Sequence, residues 1–102
     1  MLTLTNAKAL PHYRLQVSFN DGREGIADLK DIVEDGKNHF FTDLKDQDNF
    51  KKFSVDYTIE WENGADIAPE YLYFQAFQDD HTLQNLFQEW GYKKTASPDI
   101  LS

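Results

Sequence analysis

The 102 residues carry 18 Asp and Glu against 10 Lys and Arg, for a formal net charge of −8, and contain no cysteine. A chain of this length can bury a core of its own, and without cysteine it has no disulfide framework, thiolate nucleophile or sulfur-bound zinc. The acidity disfavours direct binding to nucleic acid or anionic membranes, both of which draw on Lys and Arg.

No apolar run approaches the roughly 20 residues of a membrane span. The opening Met1–Asn6 lacks the basic and apolar regions of a signal peptide. Together with the missing cysteine, this leads us to expect a cytoplasmic protein.

Leu2 and Leu4 alternate with Thr3 and Thr5, predicting an N-terminal strand. Tyr13, Leu15, Val17 and Phe19 alternate with polar residues in the same way, predicting a second. Asp21-Gly22 suits a two-residue turn with positive φ at both positions, and residues 23–28 return antiparallel with Val17 opposite Ile26. Leu29, Ile32 and Val33 have helical spacing, with Asp28 as N-cap and Gly36 just past the end.

The stretch Asn38 to Leu44 reads as an irregular or extended connection. Asp48 is placed to cap a short helix over Asn49–Phe53. Val55, Tyr57, Ile59 and Trp61 alternate with polar residues, predicting one continuous strand. Asn63-Gly64 then gives a second two-residue hairpin turn, returning over residues 65–68. Pro69 suits the first position of a helix and Glu70 its first turn, so residues 69–77 read as helix, with an extended alternative raised by Tyr71, Tyr73 and Phe74. Leu83, Leu86, Phe87 and Trp90 form an amphipathic stripe capped by Asp79 or Asp80 and ended by Gly91.

The whole predicts an α+β fold: a small antiparallel sheet built from hairpins, with short helices and a C-terminal amphipathic helix packed on one face. Residues 1–92 form the expected single domain and 93–102 a flexible tail.

Three segments resemble a bacterial domain-of-unknown-function family, number 2442. They are Leu15 to Gly22 continuing through Asp28-Leu29, Phe40 to Phe53 around Leu44-Lys45-Asp46, and Trp61 to Tyr73 with its Asn63-Gly64-Ala65-Asp66-Ile67-Ala68-Pro69-Glu70 run. The resemblance implies a small α+β domain, often standing alone. Some members of the family carry an added helix-turn-helix, and their genes commonly neighbour another small protein in a toxin–antitoxin-like arrangement. It implies no catalytic residue set. Residues 79–92 offer one amphipathic helix, too little for helix-turn-helix.

Asp66, opposite Trp61 under a two-residue turn, would sit on an apolar face and need a partner. Its structural role would be to accept N–H groups at the start of the Pro69 helix. Its functional role would be as a general base or ligand contact within an enzyme, together with Glu60, Glu62 or Glu70. Asp43, Asp46 and Asp48 lack the glycine and closing glutamate of a calcium loop, and His12, His39 and His81 lack ligand spacing. No metal or other cofactor is therefore expected.

Gly22-Arg23-Glu24-Gly25 lies within a hairpin and is no phosphate loop. Asp21, Gly22, Asn63 and Gly64 are turn residues. Tyr71, Tyr73, Phe74 and Phe77 are either core or, with Asp66 and Glu70, a partner-binding patch ringed by carboxylates. An accessory domain that meets a protein with a basic surface, or forms a homodimer, is the leading functional expectation.

Overall fold

A computed structural model describes residues 1–92; the tail expected over 93–102 lies outside the described residues. The fold is α+β, with two antiparallel three-stranded sheets in place of the one expected. The first comprises β1 (Leu4–Leu10), β2 (Arg14–Phe19) and β3 (Glu24–Asp28) in that order. The second comprises β4 (Phe53–Asp56), β5 (Thr58–Trp61) and β6 (Asp66–Ile67). They meet where the Leu4 N–H donates to the Tyr57 carbonyl at 2.7 Å.

The strand predicted through Tyr57 folds back on itself there. Tyr57 has a φ of +66°, and Phe53 pairs with Trp61 and Val55 with Ile59. Apolar residues stand symmetrically about the reversal, so a continuous strand and a folded one carry the same alternation.

Both hairpin turns are one residue longer than expected. Phe19 N–H donates to the Arg23 carbonyl and Trp61 N–H to the Ala65 carbonyl, each closing a three-residue loop. Positive φ falls on Gly22 (+89°) and Gly64 (+97°) but not on Asp21 or Asn63, the signature of a type I turn followed by a left-handed glycine. The Asp21 carboxylate accepts the Arg23 N–H and the Asn63 side-chain oxygen the Ala65 N–H, two residues on in each case.

The extra residue shifts each register by one. Val17 stands opposite Gly25, leaving Ile26 49% exposed, and Asp66 stands opposite Glu60 rather than Trp61. A one-residue shift moves a strand's side chains to the other face, so Ala27 and Ile67 are buried and Asp66 is in solvent.

Helices fill the connections. Helix α1 (Lys30–Glu34) follows Asp28, whose carboxylate accepts the Lys30 N–H, and Gly36 follows it at φ +73°. The stretch expected to be irregular is helix α2 (His39–Thr42), capped by Asn38, and a 3₁₀ turn over Asp43–Lys45. Helix α3 (Gln47–Phe50) takes Asp46, not Asp48, as its cap, because Asp46 is the extended residue whose carboxylate reaches the Asp48 N–H. Phe53, assigned to that helix, begins β4.

Helix α4 (Pro69–Phe77) has Pro69 in its first turn, which rules out the extended alternative. A 3₁₀ turn capped by Asp80 leads into α5 (Gln84–Trp90), which ends at left-handed Gly91. The core runs from Leu4 through Leu15, Val17, Phe50, Ile59 and Trp61 to Leu72 and Phe87. Trp61 is 2% exposed and its indole N–H donates to the Phe50 carbonyl at 2.9 Å. Tyr13, with φ +61°, ties the first sheet to the helical layer: its hydroxyl donates to the Lys45 carbonyl and its ring meets Phe50 edge-on.

Candidate interaction surface

Three of the four aromatics on α4 serve the interior. Tyr73 and Phe74 are 4% and 3% exposed. Phe74 packs edge-on against Phe87 and stacks on Tyr92, and Tyr73 meets Phe19, Phe77 and Trp90. Phe77, half-buried, covers Gly25 so closely that a Cβ there would lie 2.7 Å from its ring. The close approach lets α4 sit on β3. Tyr71 is half-buried against Tyr92, and its hydroxyl accepts from the Gln75 amide; burial pushes its pKa up. Tyr73 and Phe74 thus offer no ring to a partner, because α5 covers them.

A polar network fastens this layer to the first hairpin. The Tyr73 hydroxyl donates to the Asp21 carboxylate at 2.7 Å, and Arg23 pairs with Asp80 at 3.0 Å and more loosely with Asp21 at 3.8 Å. Desolvation first, then the hydrogen bond to Asp21 and the charge it carries, pushes the Tyr73 pKa up to about 12. Burial raises the Asp21 carboxyl, but hydrogen bonds from Arg23 and Tyr73 and the Arg23 charge outweigh it and hold it below the usual carboxylate range. Asp80 is likewise lowered, chiefly by the Thr82 hydroxyl and N–H.

The carboxylates divide into two kinds. Asp21, Asp28, Asp35, Asp46 and Asp80 each accept a backbone N–H two residues ahead and so build turns and caps. Asp43, Asp56, Glu60, Glu62 and Asp66 do none of this: their side chains have no hydrogen-bond or ion-pair partner among the described residues, and all are exposed. Asp66 caps nothing, since the N-cap of α4 is Ala68 without a side-chain bond.

Four of these five lie on or beside the second sheet. Ser54, Glu60 and Asp66 are cross-strand neighbours in one row, so two like charges face each other directly. Such a pair costs stability. Asp56 and Glu62 extend the row, and no Lys or Arg occurs anywhere in residues 53–92. That cation-free stretch is a plain sequence signal overlooked in favour of the carboxylate-free residues 1–20.

Beside this row runs a shallow trough. One cleft of about 290 Å³ is lined by Asp43, Asn49, Lys52, Trp61, Glu62 and Asn63. A second, of about 210 Å³, shares Lys52, Trp61 and Glu62 and continues to Ser54 and Glu60. Asp66 and Glu70 line neither cleft, so the carboxylates named for the enzyme alternative do not converge in one pocket. Among the described residues no three His, Asp or Glu side chains are arranged to hold a metal ion, and no helix is long and apolar enough to cross a membrane.

A family model described as a protein of unknown function (DUF2442) matches residues 4–78. No curated protein and no solved structure matches the chain.

Proposed function

Because the chain belongs to the DUF2442 family, whose description leaves the role open, we propose a function from its surface: a non-enzymatic accessory domain that binds a basic protein partner. The observation that carries this reading is the unpaired carboxylate row on the second sheet, where Glu60 faces Asp66 with no cation in residues 53–92. A like-charge pair across a sheet is a stability cost with no structural return, and such costs are retained where function needs them. Facing a basic surface, the same row steers encounter and selects partners by charge.

The setting proposed is the cytoplasm, with the partner encoded nearby as in a toxin–antitoxin-like pair. Half-buried Tyr71 and Phe77 and the exposed Glu70–Asp66 edge contribute at most the rim of the contact.

The test is capture from the native host at low and high salt. A single stoichiometric basic protein, released as ionic strength rises, is the expected outcome. Recovery of the chain alone, or of a partner indifferent to salt, refutes it.

A further inference from the structure

We infer that the trough between the 3₁₀ turn at Asp43–Lys45 and the β4–β5 pair is the docking groove for an extended segment of that partner bearing Arg or Lys. The inference rests on the basic-partner reading and deepens it by naming one surface among several acidic ones.

Two observations carry it. The first is shape. The two clefts of about 290 and 210 Å³ share Lys52, Trp61 and Glu62, so they form one channel from Asp43 to Ser54 rather than separate dimples. Its floor is fixed: Trp61 is held by its bond to the Phe50 carbonyl, and the Glu62 N–H donates to the Lys52 carbonyl at 3.0 Å. A rigid groove spares a partner the entropy of ordering it.

The second is which polar groups remain open. The amides are spent, Asn49 donating to the Asp43 carbonyl and Asn63 donating to the Phe40 carbonyl while accepting from Ala65. The carboxylates of Asp43, Glu60 and Glu62 have no partner among the described residues, and against them stands one cation, Lys52. Three acceptors of guanidinium or ammonium along a narrow channel complement a strand of alternating basic residues better than a compact ion. The lack of a convergent metal-holding triad points the same way.

Lys52 provides a discriminating test, since it is the groove's own competitor and Lys51 next to it lines neither cleft. The full chain is titrated with a fluorescein-labelled peptide of nine residues alternating Arg and Gly, read by anisotropy and by amide shifts. Shifts are expected at Asp43, Asn49 and residues 52–63. Asp43→Asn, Glu60→Gln and Glu62→Gln each weaken binding by about two- to fivefold, as expected for exposed ion pairs. Lys52→Gln tightens it by about twofold, while Lys51→Gln has a distinctly smaller effect.

Salt-sensitive peptide binding with shifts elsewhere, or equal effects of Lys51→Gln and Lys52→Gln, overturns the groove and leaves the basic-partner reading standing. No peptide binding, while the native partner is still released by salt, also overturns the groove alone. A native partner indifferent to salt removes both.

Discussion

Replacing Tyr73 by Phe removes one hydroxyl from the joint between α4 and the first hairpin, and its effect on stability should depend on pH in a characteristic way. At neutral pH the hydroxyl donates to an ionised carboxylate at 2.7 Å, a bond of the charge-assisted kind worth about 1.5–3 kcal/mol. Asp21 is exposed and regains water when the donor is lost, so Tyr73→Phe should cost about 1.5 kcal/mol, the lower end of that range. The folded pKa of about 12 lies above the model value of 10.0. The contribution of this proton is therefore fully present below pH 10 and is lost as pH rises to 12. Two units correspond to about 2–3 kcal/mol.

On the acid side Asp21 is lowered, so its contribution is present above the ordinary carboxylate pKa and fades as pH falls through the folded value. The wild-type minus Tyr73→Phe difference in unfolding free energy should thus form a plateau near neutrality, decline in acid, and vanish or reverse between pH 10 and 12. Urea unfolding of both proteins at several pH values measures it, and the other tyrosines cancel in the difference. A constant offset from pH 7 to 12 would refute the assignment of a buried hydroxyl beside a carboxylate.

Other substitutions test the scaffold. Gly64→Ala forces a side chain onto a left-handed residue at φ +97° and should cost about 1–2 kcal/mol in urea unfolding; no change would mean the loop relaxes to another turn. Gly25→Ala drives a methyl into the Phe77 ring and Ala76, with an expected loss of about 1–3 kcal/mol from overpacking. A thermal midpoint equal to wild type would show that Phe77 swings aside freely. Asp66→Ala should leave stability unchanged or raise it by up to about 1 kcal/mol, because it relieves the repulsion from Glu60. A loss of 1–2 kcal/mol would instead reinstate the capping role.

Much of the fold was legible because it rests on local chemistry. The Leu15-Val17-Phe19 alternation, Pro69 in the first turn of α4 and Gly91 after α5 each report their own element. What stayed hidden depends on packing across the chain. An Asp-Gly or Asn-Gly pair fits a two-residue turn and a three-residue turn equally well. The choice is made by Ala27 lying opposite Leu15 and Ala65 beside Trp61, small residues that let the sheets close. The reversal at Tyr57 has neither glycine nor proline to mark it. Asp66 was misplaced for the same reason, since one residue of register separates a buried carboxylate from a solvated one. The aromatics of α4 could be counted from sequence, but only the placement of α5 decides that Tyr73 and Phe74 lie inside.

The stretch without Lys or Arg between Lys52 and Lys93 has a practical bearing on how a complex could be caught. Trypsin has no cleavage site within it, and amine-directed cross-linkers find no handle on the second sheet, α4 or α5. Carbodiimide coupling reverses the logic: it activates carboxylates and joins them to lysines supplied by another molecule. A bond formed at Glu60 or Glu62 would then identify the visiting chain by the residue it donates.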